Sequence, residues 1–197
     1  LLACGLQLEL DPAPIVGATR SATPRITVVG RLVPHKQVEH AIDAVAALST
    51  EHPDITLDVI GAGWWDEELV AYAAKRGVSE HVVFHGFVDD QTKHELLAQS
   101  WVMALPSLKE GWGIVIGEAG THATPTVAYS TAGGTTESID HKDSGVLVDD
   151  PIEFTQAIRQ LVEDAEWREF LGQGALEKSR TFTWAASQSE FAEVLHR

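Results

Sequence analysis

The chain is poor in the residues that mark several common functions. It has one cysteine, Cys4, among 197 residues, so an internal disulfide is excluded and a reducing compartment is compatible with it. No apolar run is long enough to span a bilayer, although 44% of the residues are apolar. One globular domain with a full core is expected, in the cytoplasm. Positive charge is scarce: 14 Lys and Arg stand against 29 Asp and Glu, a formal net charge of −15. That balance argues against a nucleic-acid or membrane-surface binder, and it draws attention to any basic pair beside a candidate phosphate site. The nine histidines contain no His-Glu-x-x-His and no set at metal-ligand spacing. His35, His40, His81, His85, His94 and His122 are scattered and read as surface or capping residues, so no metal site is expected. There is no Gly-x-Ser-x-Gly elbow, and Cys4 has no suggestive neighbourhood, which disfavours nucleophilic hydrolysis. The start, Leu1-Leu2-Ala3-Cys4, lacks an initiator methionine and a basic leader. It is expected to be the cut edge of a longer chain, not a signal peptide.

What is present is an alternation. Residues 1–24 are rich in Pro, Ala and Thr without a period and read as a lead-in or interdomain linker. From Arg25 to the end, short apolar runs alternate with helical patterns. Strands are expected at Ile26–Val29, Ile55–Ile60, Val82–Phe84, Trp101–Leu105, Thr126–Ala128 and Gly145–Val148. Helices are expected at about 38–48, 65–75, 90–99, 113–122, 151–163, 166–178 and 184–195. Strands separated by helices of this length imply an α/β, doubly wound, Rossmann-like parallel sheet over residues 25–197, with ligands at the carboxyl ends of the strands. By position, most of the six tryptophans fall on helix faces.

The stretch Ser107-Leu108-Lys109-Glu110-Gly111-Trp112-Gly113-Ile114, followed by Glu118 and Ala119, carries the most chemistry. A strand ends just before it, a glycine-spaced loop follows, and a helix starts near Gly113. Unpaired amides at a helix start suit an anion, and Gly111 and Gly113 let a ligand approach the backbone. Glu110 on the loop and Glu118 on the helix offer two carboxylates that could accept hydrogen bonds from the hydroxyls of a sugar or ribose. Trp112 is either a wall against the sugar or a packing anchor. After the first strand, Gly30-Arg31-Leu32-Val33-Pro34-His35-Lys36 places a guanidinium and an ammonium together, a positive site for a diphosphate or simply two exposed basic residues. Ile60-Gly61-Ala62-Gly63 is a Gly-x-Gly turn; with Asp66 where the dinucleotide fingerprint needs a third glycine, it disfavours an NAD site. Phe87 is a ligand neighbour or a core residue, and Val88 is expected to point inward.

These segments together resemble the donor half of the retaining glycosyltransferases of GT-B architecture, the large family that includes glycogen and sucrose synthases. The resemblance runs from Gly30 to Phe182-Thr183-Trp184. It implies a carboxy-terminal nucleotide-sugar-binding domain whose upstream partner domain, with the acceptor site and any membrane contact, is missing. It implies that Arg31 and Lys36 hold the donor diphosphate, Glu110 the sugar and Glu118 the ribose. Gly30, Gly61, Gly63, Gly111, Gly113, Ile114 and Trp112 would line the ligand, and the loop at Phe87 and Val88 would meet the base. No cofactor is implied beyond the nucleoside-diphosphate sugar as substrate, and no nucleic acid. Gly133-Gly134-Thr135-Thr136-Glu137 matches the family's turn near the donor, with Glu137 and Ser138 as possible helix caps. Two departures leave the local geometry open: Ala123 stands where glycine is usual, and Tyr129–Ala132 is one residue longer than the pattern. A non-transferring relative such as an epimerase, a nucleotide-sugar sensor, and an interaction domain with a degenerate site are the alternatives.

Overall fold

A computed structural model describes residues 19–182. Six strands form one sheet: β1 (Arg25–Val29), β2 (Thr56–Ile60), β3 (Val82–Gly86), β4 (Val102–Leu105), β5 (Thr126–Tyr129) and β6 (Gly145–Val148). Their order is β3-β2-β1-β4-β5-β6 and every pairing is parallel. Chain direction along the sheet therefore reverses between β1 and β4. At such a point the connections leave toward opposite faces and open a crevice at the carboxyl ends of the strands.

Seven helices cover the sheet: α1 (Val38–Leu48), α2 (Asp66–Arg76), α3 (Asp90–Gln99), α4 (Ile114–Gly120), α5 (Thr135–Ser138), α6 (Pro151–Glu163) and α7 (Ala165–Ser179). Central strands are buried on both faces, so β4 reads as a continuous apolar run, and even the polar Thr27, Asp58 and Thr126 of β1, β2 and β5 are buried. The helices bury stripes at helical spacing, such as Val38, Ala41, Ile42, Val45 and Leu48 in α1, and Phe154, Ala157, Ile158 and Leu161 in α6. Aspartates open three of them. Asp89 accepts from the Thr92 amide, Asp150 from Ile152 and Glu153, and Asp164 from Trp167. One core cluster joins the sheet to α1, α2 and α6; a second joins it to α3 and α4 through Leu96, Leu97, Ile116 and Ala119.

The sheet and the helix order match the expectation from the sequence, with three differences. Helix α4 stops at Gly120, two residues early, because Ala123 takes a left-handed φ of 53° that a continuing helix cannot accommodate. This is the position where the family pattern has glycine. The lengthened Tyr129–Ala132 segment is a 3-10 turn over Ser130–Ala132. The tryptophans are mostly not on helix faces: Trp64, Trp65 and Trp112 lie in loops, Trp101 precedes β4, and of the five described only Trp167 lies within a helix. The helix expected at 184–195 and residues 1–18, with Cys4, lie outside the described residues. No helix among the described residues is long and apolar enough to cross a membrane.

Candidate functional site

The loops that leave β1 and β4 meet at the reversal point. Lys36 ends a 3-10 turn, Pro34–Lys36, and reaches across to Glu110, Nζ to Oε1 2.5 Å. Ser107 Oγ donates to the same Oε1 at 2.6 Å. The backbone locks the approach as well: the Leu108 amide donates to His35 O at 2.9 Å. Both partners are largely sheltered, with 18% of the Lys36 side chain and 10% of the Glu110 side chain exposed. The Glu110 Oε2 atom has no hydrogen-bond partner among the described residues. Lys36 is thus not the isolated cation that its place in an acidic sequence suggested; its charge is already matched by Glu110.

Beside this pair opens a cleft of about 350 Å³. Gly30, Lys36, Glu110, Gly111, Trp112, Gly113 and Ile114 all line it, so seven of the candidate residues converge. Arg31 stands next to them, exposed, without an ion pair among the described residues. Gly113, left-handed at φ 72°, ψ 57°, turns the chain into α4. That helix has only seven residues, so its amides exert a weak pull on an anion. Trp112 packs edge to face on Phe182, ring centroids 4.3 Å apart, while its loop still borders the cleft.

A second turn holds this loop in place. The Glu110 amide donates to Ala132 O at 2.7 Å, and Glu110 forms an isolated parallel bridge with Gly133. Gly134 lies so close that a Cβ there would sit 1.6 Å from Gly111 O. Ser138 Oγ donates to Trp112 O, so Ser138 ties α5 to the loop and does not cap its own helix.

Five candidates lie elsewhere. Gly61 and Gly63 press against the β1 loop. A Cβ on Gly61 would meet Gly30 O at 1.9 Å, and one on Gly63 would meet Leu32 O at 1.9 Å. The need for glycine there is explained by loop-on-loop packing without any ligand. Phe87 is 89% exposed, which rules out the core alternative, whereas Val88 does turn inward, against the second core cluster. Glu118 faces α3, where Lys93 Nζ holds its Oε1 at 2.9 Å. Lys93 carried no sequence signal, since its partner is 25 residues away on another helix.

Of the six histidines named above, His40, His81, His85, His94 and His122 have side-chain partners, whereas His35 is exposed with none among the described residues. His85 Nε2 lies 2.6 Å from Oδ1 of Asp58, a fully buried carboxylate on β2 that also meets Arg25 Nε at 3.0 Å. His40 Nδ1 meets the Tyr129 hydroxyl at 2.8 Å, and burial raises the pKa of that hydroxyl. His94 Nδ1 and His122 Nε2 are 2.8 Å apart. Burial, then the neighbouring His94 and Arg20, push His122 down to about 4. Among the described residues, one group has the spacing to hold a metal: Glu51, His52 and Glu163. Arg159 already binds both of its carboxylates.

The comparisons agree with this geometry. The family model for glycosyl transferases group 1 matches residues 16–178. A D-inositol 3-phosphate glycosyltransferase of Corynebacterium glutamicum is 32% identical over 183 residues, 87% of this chain and 43% of that protein. The chain thus spans less than half the length of that curated relative. Anabaena HepE, solved with UDP-glucose, superposes with a TM-score of 0.77 at 27% identity, over 89% of this chain and 49% of HepE. The carboxy-terminal domain of a Francisella tularensis group 1 glycosyl transferase, LpcC, superposes with a TM-score of 0.72 at 23% identity, over 83% of this chain and 87% of that domain. A matching family model over most of the chain, a parallel sheet with this strand order, and relatives about twice as long lead to one conclusion: the chain belongs to the glycosyl transferases group 1 family, with the Rossmann-like fold of its carboxy-terminal domains.

Proposed function

We propose that this chain is the nucleotide-sugar-binding half of a retaining glycosyltransferase that moves a hexose from a nucleoside diphosphate sugar without a divalent metal. The observation that carries the reading is the convergence of Lys36 and Glu110 on one cleft where the sheet reverses. Arg31 and Lys36 neutralise the diphosphate as it becomes the leaving group, the electrostatic task that dominates such a rate. Glu110 keeps Lys36 through Oε1 and presents Oε2 to a donor hydroxyl. Glu118 does the same for the ribose. The glycines at 111 and 113 let the donor lie against the backbone.

The acceptor and the second wall of the cleft belong to an upstream domain, in keeping with relatives more than twice this length. Alone, the chain binds donor but leaves the diphosphate open to water and holds no acceptor in line. It forgoes a proximity advantage of about 7–11 kcal/mol. The longer protein should transfer sugar with the donor's anomeric configuration kept, and the 197-residue chain should not.

Calorimetric titration tests the binding half. UDP, the nucleotide held by HepE, should bind, and UMP and NAD should bind far more weakly. Glu118→Gln should weaken free UDP and UDP-sugar alike, and Glu110→Gln only the intact UDP-sugar. Equal binding of UMP and UDP would remove the diphosphate site. Equal damage by both variants to free UDP would exchange or abolish the two carboxylate roles. Binding without transfer in the longer protein would favour a sensor, and a changed sugar without transfer an epimerase.

A further inference from the structure

The two glutamates of the site are held in the same way. Glu110 gives Oε1 to Lys36 and Ser107, and Glu118 gives Oε1 to Lys93. In each carboxylate the Oε2 atom has no hydrogen-bond partner among the described residues. We propose that Lys93, on α3, is a positioning residue that fixes Glu118 for the ribose; this rests on the nucleotide-sugar reading above.

A glutamate on a helix has three side-chain torsions, and ordering them for a ligand costs entropy. Lys93 removes that freedom before the ligand arrives. Its ammonium lies 2.9 Å from Glu118 Oε1 and 3.0 Å from Asp90 Oδ1. The pair is sheltered, with 16% of the Lys93 side chain and 14% of the Glu118 side chain exposed. Burial alone would lower the pKa of the Lys93 ammonium, yet its hydrogen bonds to Glu118 and Asp90 carry it above the ordinary value, so the charge persists at neutral pH.

The frame around the pair is stiff. Asp89 caps the start of α3 through the Thr92 amide at 2.7 Å, one residue before Lys93. His94, one residue after it, bonds to His122 just past α4. The cap thus fixes the start of α3, and the His94–His122 contact ties α3 to the turn after α4 beside the Lys93–Glu118 pair. Through this contact the segment that follows β3, with Phe87 and Val88, is coupled to the carboxylate on α4.

The experiment compares Lys93→Met, Lys93→Arg, Glu118→Gln and the double variant Lys93→Met with Glu118→Gln. UDP, GDP and ADP are titrated against the unaltered chain, and the tightest is carried forward with its 2′,3′-dideoxy analogue. Circular dichroism checks that each variant folds. Lys93→Met should lose about five- to tenfold in affinity for the ribonucleotide. It should leave the dideoxy analogue unchanged, and Lys93→Arg should recover most of the loss. In the Glu118→Gln background, Lys93→Met should add nothing. Equal losses for both nucleotides would mean that Lys93 touches base or phosphate directly, and would overturn the proposal. So would additive losses in the double variant, or no loss at all while Glu118→Gln removes the ribose preference. If the unaltered chain binds none of the three diphosphates, the donor reading falls first and the positioning role with it.

Discussion

Strands β1 and β4 lie side by side, and their two ends treat charge in opposite ways. At the amino ends, polar groups are used up internally. The Arg20 guanidinium donates to the carbonyls of Ser100, His122 and Ala123 and to Thr124 Oγ1. The Trp101 indole donates to Ser21 O at 2.8 Å, and the Trp101 amide to Arg25 O at 2.7 Å. Thr27 and Ser100 share a buried hydroxyl contact. At the carboxyl ends, cations meet carboxylates that keep one oxygen to spare, beside an open cleft. Along β1 and β4 one end is saturated and the other is poised. The lesson is that buried polarity alone does not mark a functional site; unspent bonding capacity next to open space does.

The sharpest way to break this contrast is Gly63→Ala. If the carboxyl rim were shaped by ligand alone, the free protein would tolerate it. A methyl 1.9 Å from Leu32 O predicts a loss of about 3 kcal/mol without any nucleotide, read by chemical denaturation. An unchanged midpoint would show that the rim loops are not packed on one another. At the saturated end, Arg20→Ala removes a shared donor from three carbonyls and the Thr124 hydroxyl and should cost about 2–3 kcal/mol of stability. Nucleotide affinity, measured where both proteins are folded, should not change; a parallel loss of binding would erase the distinction between the two ends. The converse holds for Lys36→Ala. It should lose about 1.5–3 kcal/mol of diphosphate binding, while its cost in stability should be smaller than that of Arg20→Ala, because Glu110 keeps the Ser107 hydroxyl and borders the open cleft. A fall in melting temperature as large as that for Arg20→Ala would make Lys36 a structural residue.

Smaller effects sharpen the same picture. His122 is held neutral at the saturated end, with its pKa lowered from 6.5 to about 4. The unfolded chain protonates first on acidification, so stability present above pH 6.5 should decline as pH falls toward about 4. Replacing His122 with Asn should flatten that part of the pH–stability curve. An equally steep curve would assign the acid sensitivity to other groups. Last, Ala123→Gly relieves a left-handed alanine and should be neutral or stabilising by up to about 1 kcal/mol. A destabilised variant would mean that the alanine methyl packs usefully enough to outweigh its backbone strain.

Which of these features the sequence disclosed follows from the range of the forces involved. The strands were legible because burial leaves short, mostly apolar runs, and α1 and α6 because their stripes repeat at helical spacing. The donor loop was legible because Ser107 to Glu118 is contiguous. The contact of Lys36 with Glu110 was not, because 74 residues separate them. Glycine at 61 and 63 could be noticed, but its cause lies in another loop. The early stop of α4 depends on a left-handed Ala123, which no propensity favours. The histidine pairings and the Lys93 brace depend on helix rotation about the sheet, a quantity that local patterns do not record.

The bridge between Glu110 and Gly133 has a consequence for protein engineering. Loops that border a cleft are natural units to exchange between relatives. Here the loop after β4 is seated on the turn after β5: the Glu110 amide needs Ala132 O, and Trp112 O needs Ser138. A loop transplanted without that turn would lose both of these contacts. The two segments form a single transferable cassette, residues 107–118 with 129–138, and a chimera that carries only one of them would present Glu110 at the wrong height.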